Sequence, residues 1–333
     1  MVTIYDIAKK CGVSPSTVSK VVNNYSSIPE ATKEKVLAVM KEMGYIPNSS
    51  AKQLSKGKSF NVGVLSYFGT QITPFKHSLF MDILDSFQSV INKKRYDLLF
   101  ISRTVGENTG TFYQNCISRN VDGVLLLGEM NDKEMLEVIK SDIPSVGFDY
   151  VGELMSSVVS NNYNLAYELT KHLIDYNHKN IVYIAGDDNK ITDLRIEAFK
   201  DCLINHGIEF HDDMLIKSKY VDLASLELII DSIVNRKKRP TAIIFSDDIS
   251  AIRGISLLQK YKLKCPNDIS VVGFDGIEFG EIVNPPLTTA KQNTKKIGQT
   301  LAKLLLNAIE KNAKPESISI PGKVIIRNST KKI

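Results

Sequence analysis

"DIAKKCGVSPSTVSKVVNN", residues 6–24, decides the reading of the N-terminal fifth of the chain. A helical pattern halts at Gly12, and a second one opens on Ser14 and Pro15. Thr3 and Asp6 have capping-box spacing, which predicts a helix from about Ile4 to Cys11, with Ile4, Ile7 and Ala8 on its buried face. Gly12 permits a tight exit and Val13 can fill the corner. Ser14 is a good N-cap, and Pro15 then sits at the first helical position, where its missing N–H costs nothing. The second helix, predicted to run to about Asn23, turns Val18, Val21 and Val22 inward and Ser16, Thr17, Ser19 and Lys20 outward. A third, in "EATKEKVLAVMKEMGY" (residues 30–45), is expected to bury Val36, Leu37, Met40 and Met43. Three short helices around one small core, with a tight turn between the first two, make a helix-turn-helix.

Charge supports that reading. Residues 1–60 hold nine lysines against Asp6, Glu30, Glu34 and Glu42, a net +5 that equals the net charge of all 333 residues. The remaining chain therefore sums to zero, and a compact basic module sits on a neutral body, the electrostatic footprint of a polyanion binder. A second helix of this kind is shaped to lie in a DNA major groove. The chain is 43% apolar and 24% charged, the balance of a globular protein of two or three folding units. No apolar run approaches the roughly 20 residues of a membrane span, and no apolar signal core precedes the first helix. Cys11, Cys116, Cys202 and Cys265 are scattered singly, with neither zinc spacing nor a disulfide framework, which points to a reducing cytoplasm.

From residue 60 the pattern changes to alternating strands and helices. "NVGVLS", "DLLFIS", "DGVLLLG" and "PSVGFD" read as buried parallel strands, with amphipathic helices near 76–94, 108–119 and 131–141. After "SVVSNN" the series restarts: helix 162–176, "NIVYIAG", helices 192–206 and 223–236, "TAIIFSD", helix 249–261, "ISVVGFD". Two such half-chains predict two doubly wound α/β lobes. Ligands of such folds sit at the carboxyl ends of strands, hence in the cleft between the lobes. Asp149, Asp247 and Asp275 each follow a strand directly, Phe75 follows the first strand, and Arg195 sits one turn into a helix. Carboxylates and a guanidinium can grip vicinal hydroxyls bidentately, while an aromatic face covers the apolar side of a sugar ring.

"TIYDIAKKCGVSPSTVSKVVNN", "GYIPNSSAKQLS" and "DISVVGFDGIEFGEIVNPPLTTAKQNT" (residues 3–24, 44–55 and 268–294), in that order, closely resemble the lactose-repressor (LacI/GalR) family of bacterial transcription regulators. The likeness covers essentially the whole chain. It implies a helix-turn-helix domain over 1–47 (motif 4–23), a hinge helix and linker over 48–59, and a periplasmic-binding-protein-like effector and dimerisation body over 60–333. By the resemblance that body divides into a first lobe of 60–160 with 291–328 and a second of 161–290, the chain crossing near 160, 290 and 320. Pro15, Ser16 and Lys20 match the family's base readers, and Lys20 can reach the acceptor edge of guanine. Tyr5, Thr17, Ser19 and Asn23 match positions that hold the sugar-phosphate backbone. Ala51 and Leu54 fall in the hinge, Leu54 at the family's minor-groove wedge. Arg195 and Asp275 match effector positions through "RIEAF" and "VVGFD"; Tyr220 matches an aromatic position, and Asp247 replaces an asparagine common in relatives.

The resemblance implies a homodimer on a near-palindromic operator, controlled by a small carbohydrate-like effector, in the cytoplasm and without a membrane partner. "KKI" ends the chain with no added heptads, which favours a dimer over a dimer of dimers. A signal of protein or phosphorylated-metabolite origin is the alternative within the family. A solute-binding protein shares the two-lobe body but would carry a signal peptide where this chain has its basic module. No G-x-G-x-x-G follows a strand, and "GKS" at 57–59 lacks the earlier glycine of a phosphate loop, whose place is taken by Lys52. Nothing in the sequence calls for a cofactor, the five histidines show no metal spacing, and the reading is of a regulator rather than an enzyme.

Overall fold

The structure, a computed structural model, describes residues 2–23, 25–46, 58–67, 75, 77–105, 108–128, 130 and 132–333. They divide into two compact units, residues 1–61 with 120–122, and residues 62–119 with 123–333.

The first unit forms the expected helices α1 (Ile4–Cys11), α2 (Pro15–Val22) and α3 (Glu30–Glu42). Both halves of the capping box are present: Asp6 N–H donates to Thr3 Oγ1 at 3.4 Å, and Thr3 N–H donates to Asp6 Oδ2 at 2.8 Å. Gly12 ends α1 at φ +66°, where an L side chain would be strained, and Thr17 N–H donates to Ser14 Oγ at 3.1 Å to start α2. Ile7, Ala8, Cys11, Val18, Val21, Val36 and Met40 make the core. Leu37 departs from expectation: it is 46% exposed, because α3 meets α1 and α2 along the stripe of Val36 and Met40, and Met43 is only half-buried.

The second unit begins with the predicted β1 (Asn61–Tyr67), α4 (Ser78–Ile91) and β2 (Asp97–Phe100), though β2 lies at the sheet edge and is not buried as expected, and a short hairpin of β3 (Thr104–Val105) and β4 (Asn108–Thr109) stands where the helix was expected to start. It continues through α5 (Phe112–Ser118), β5 (Gly123–Gly128), α6 (Lys133–Ile139), β6 (Ser145–Phe148) and β7 (Ser156–Ser160). A second series follows: α7 (Asn162–Asp175), β8 (Ile181–Ile184), α8 (Lys190–Asn205), β9 (Leu215–Ile216), α9 (Leu223–Val234), β10 (Ala242–Phe245), α10 (Asp248–Lys260), β11 (Ser270–Asp275), α11 (Phe279–Ile282) and β12 (Thr288–Lys291). The chain closes with α12 (Thr294–Lys311), β13 (Ser317–Ile320) and β14 (Lys323–Ile325).

Two six-stranded sheets result, ordered β13-β7-β6-β5-β1-β2 and β14-β12-β11-β10-β8-β9. In the second, β8, β10, β11 and β12 pair in parallel and are buried on both faces, by Leu165, Leu169 and Phe199 on one side and Leu226, Ile230 and Leu258 on the other. Helix α12 returns to the first lobe and lies against α4 so closely that a Cβ on Gly298 would come within 2.3 Å of the Ile83 carbonyl oxygen. Crossings fall after Ser160, Lys291 and Ile320. One boundary is corrected: β14 pairs antiparallel with β12, so the chain beyond 320 belongs to the second lobe and not, through 328, to the first. The tail is fixed there by hydrogen bonds, with Val271 N–H donating to the Ser329 carbonyl at 2.8 Å. Among the described residues no helix is long and apolar enough to cross a membrane.

Candidate functional site

On the first unit, Tyr5 (69% exposed), Ser16 and Lys20 lie open to solvent, and Pro15, Thr17, Ser19 and Asn23 are half-buried. Val18 and Val21 point the opposite way, into the core, so the periodicity of α2 sets one polar face outward. Lys20 makes no ion pair with any described residue, whereas Lys10 is paired with Glu42 at 2.7 Å. The exposed face of α2 thus offers one unneutralised cation and a hydroxyl, the chemistry of base-edge reading. Ala51 and Leu54, with the whole hinge over 48–56, lie outside the described residues.

In the second unit the carboxyl ends of β6, β8, β10 and β11 converge on Arg195, the only buried lysine or arginine among the described residues. Helix α8 carries it in its second turn, started by Asn189 accepting from Thr192 N–H at 2.9 Å. Two of the five guanidinium N–H donors are engaged: Nε donates to Asn162 Oδ1 at 2.9 Å and Nη1 to the Ser246 carbonyl at 3.1 Å. The guanidinium lies 3.6 Å from the Phe274 ring centre and 5.9 Å from that of Tyr220. Tyr220, half-buried, shares a hydrogen bond of 3.0 Å with Thr192 through its hydroxyl.

Two aspartates flank this cation. Asp275, buried, accepts from Gln292 Nε2 at 2.7 Å, and burial, with Asp248 and Asp247 nearby, holds its carboxyl well above the usual range although Arg195 pulls it down. Asp149 keeps part of its surface open, yet the loss of solvent pushes its carboxyl up to about 6 against the pull of Arg195 and of the Ser160 N–H at 3.3 Å. Both take a positive φ, +56° at Asp149 and +110° at Asp275, conformations unusual for a side-chain-bearing residue and often found where a site fixes its groups.

Asp247 has a different occupation. Its carboxylate accepts from Ser250 N–H at 2.7 Å, Ser250 Oγ at 2.8 Å and Val221 N–H at 3.2 Å, so it caps α10 and ties down the Tyr220 segment. Phe75 is also apart from the cluster: it is 55% exposed and packs on Phe100 at 4.8 Å between ring centres. The aromatic that neighbours the cluster from the first lobe is Phe80, edge-on to His77 at 5.3 Å and to Phe148 at 6.2 Å. Asp149, Arg195, Tyr220 and Asp275 are brought together; Phe75 is not, and Asp247 supports rather than faces the centre.

Sequence reasoning missed His77, Asn162 and Gln292. Ser160 Oγ donates to Gln292 Oε1, joining two of the crossings between lobes. A signal was present: Val-Gly-Phe-Asp occurs at 146–149 and again at 272–275, and just beyond the strand next to each copy stands an amide side chain that donates to its aspartate, Asn162 to Asp149 at 3.4 Å and Gln292 to Asp275 at 2.7 Å. Among the described residues no group of three His, Cys, Asp or Glu side chains is placed to hold a metal ion.

Residues 3–48 match the family model described as "Bacterial regulatory proteins, lacI family", and residues 170–330 match "Periplasmic binding protein-like domain". The HTH-type transcriptional repressors PurR of Vibrio parahaemolyticus and Vibrio campbellii are each 30% identical over 346 residues, covering 100% of both chains. Among solved structures, the lac repressor dimer bound to operator and the anti-inducer ONPF superposes with a TM-score of 0.83 at 26% identity, over 99% of each chain. A transcriptional regulator CelR–cellobiose complex gives 0.72 at 22% identity, over 99% of this chain and 100% of that one, a likeness of fold.

Proposed function

Because the chain belongs to the lacI family of bacterial regulatory proteins, we propose that it binds a near-palindromic operator as a cytoplasmic homodimer, controlled by a neutral, hydroxyl-rich effector in its cleft. That it is a DNA-binding transcriptional regulator of the repressor type, with a ligand-binding body, follows from the family. The roles of individual residues are the proposal. Ser16 and Lys20 read bases, Pro15 seats the start of α2 in the groove, and Tyr5, Thr17, Ser19 and Asn23 hold the phosphate backbone. Arg195, Asp149, Asp275 and Tyr220 hold the effector, and the protein has no catalytic role.

One observation carries the choice of effector class. A single buried cation faces Asp149 and Asp275, with Asp247 and Asp248 behind them, and part of its guanidinium is already used by Asn162 and Ser246. Such a site has no cationic surplus for a phosphate ester, and a neutral polyol satisfies carboxyl acceptors and guanidinium donors together. CelR, a regulator of the same fold, was solved as a complex with a neutral sugar, cellobiose.

A thermal-shift screen of neutral mono- and disaccharides against their phosphate esters tests the class. Neutral sugars are expected to raise the melting temperature, and Arg195→Lys, which keeps the charge but loses the planar fork, is expected to weaken that response at least about tenfold. Stabilisation by the esters alone would reject the reading. On DNA, Lys20→Ala is expected to relax base preference by about 1–3 kcal/mol, read by binding to operator and random duplexes; equal losses on both would show that Lys20 touches only phosphates.

A further inference from the structure

His77 stands immediately before α4 and is 5% exposed, yet among the described residues its Nδ1 has no hydrogen-bond partner. Its side chain does not cap the helix, and the hydroxyl of Ser78 beside it is also without a partner among the described residues. The other ring nitrogen, Nε2, lies 3.6 Å from Asp275 Oδ2, so the imidazole of the first lobe reaches the effector-facing carboxyl of the second. Phe80, edge-on to the ring, holds it in place. A buried imidazole nitrogen left open is costly, and native proteins fill such positions with a ligand or solvent atom.

We propose that His77 is the specificity-determining contact of the first lobe, taking one hydroxyl of the effector on Nδ1 while Nε2 faces Asp275. The inference rests on the cleft reading given above and names the group the first lobe selects. Burial holds the imidazole below its ordinary pKa while the charge of Asp247 opposes that shift, so the ring is neutral near pH 7. The charged groups that face it are Asp275 on β11 and Asp247 at the start of α10. A neutral imidazole presents either a donor or a bare lone pair at Nδ1, according to how Nε2 and Asp275 share their proton. A hydroxyl, which both donates and accepts, satisfies either form; a phosphate oxygen only accepts, and an ammonium only donates. Because the contact starts in one lobe and ends beside an aspartate of the other, an effector seated there joins the two.

The test is calorimetry of the full chain with the neutral sugars of the panel, cellobiose and ribose included, on wild type and three variants. His77→Asn puts an amide atom at the place of Nδ1 and is expected to keep most of the affinity. His77→Gln, whose amide lies farther out, and His77→Phe, which keeps only the ring, are each expected to lose about tenfold or more. Histidine-selective nitrogen NMR is expected to show the Nδ1 resonance of His77 moving on sugar binding while those of His172 and His178 stay in place. Unchanged affinity in His77→Phe, with Arg195→Lys weakened, overturns the His77 assignment and leaves the cleft reading standing. Unchanged affinity in Arg195→Lys, or a panel in which no neutral sugar binds, overturns both.

Discussion

Val146-Gly147-Phe148-Asp149 on β6 and Val272-Gly273-Phe274-Asp275 on β11 occupy the same place in the two sheets, third from the edge formed by β13 in one and β14 in the other. Each copy ends on an aspartate of positive φ, and each is paired on one side with the strand from which the chain leaves its lobe. The surroundings differ. Phe148 meets Phe80, with His77 next in line, whereas Phe274 lies under Arg195, with Asp248 behind. One backbone device thus recurs in both lobes, in the proposed reading as two ends of one ligand site: the second lobe carries the fixed cation Arg195, and the first sets Asp149 beside an aromatic wall that includes His77. Duplicated geometry sets where the aspartates stand, and local neighbours set what each can bind.

The largest effect that would sharpen this contrast is expected from Arg195→Ala. It leaves Asn162 Oδ1 and the Ser246 carbonyl without their donor and removes the one cation that offsets Asp275, a loss on the order of 3 kcal/mol by chemical denaturation. A loss below about 1 kcal/mol would show that solvent already pays for those groups.

Next are the paired glycines. A Cβ on Gly273 would sit 2.2 Å from Asp248 Oδ1, a carboxylate locked by the N–H groups of Gly276 and Ile277 and by the Thr289 hydroxyl. A Cβ on Gly147 would meet the terminal methyl of Met155 at 2.4 Å, which can swing away. Gly273→Ala is therefore expected to cost about 1–3 kcal/mol and Gly147→Ala less than about 1 kcal/mol. Equal costs would break the contrast between a rigid polar second lobe and a yielding first one.

The smallest effect concerns pH. With its carboxyl raised to about 6, Asp149 binds a proton in the fold that the unfolded chain releases near 4. Its contribution therefore lowers stability as pH rises from about 4 through 6, and Asp149→Asn should remove that slope, on the order of 1 kcal/mol per pH unit. His77, His172 and His178, all held below their ordinary value by burial, act in the opposite sense: the stability they allow is lost as pH falls below about 6.5. Melting curves of wild type and variant from pH 4.5 to 7.5 separate the two, and an unchanged difference between them at every pH would show that Asp149 titrates normally.

The N-terminal helices were legible almost to the residue, because capping at Thr3 and Ser14, the proline at 15 and the glycine at 12 are local signals with local causes. Leu37 was misplaced because helical spacing alone cannot tell which edge of α3 meets its neighbours. Strand ends pointed to Asp149 and Asp275, since groups at the carboxyl ends of doubly wound sheets line the cleft, and Arg195 stood out one turn into the helix that follows β8. Phe75 was chosen by its nearness to the first strand, but the chain reaches α4 only at Ser78, and Phe80 on that helix is the ring beside the cluster. Asp247 looked like its neighbours in sequence, and only its bonds to Ser250 and Val221 reveal a cap. Gln292 and Ser160 were hidden because their partnership spans 132 residues of chain. For β14, antiparallel pairing with β12 is a long-range choice that three residues of text do not announce.

The measurement that tests the account most directly is operator binding by fluorescence anisotropy across the neutral-sugar panel, on wild type and Arg195→Lys side by side. At least one sugar is expected to change the operator affinity of wild type, and the concentration needed for that change is expected to rise about tenfold or more in Arg195→Lys, with sugar-free operator binding alike in both. The same sugar response in both proteins, or a response to phosphate esters alone, would contradict it.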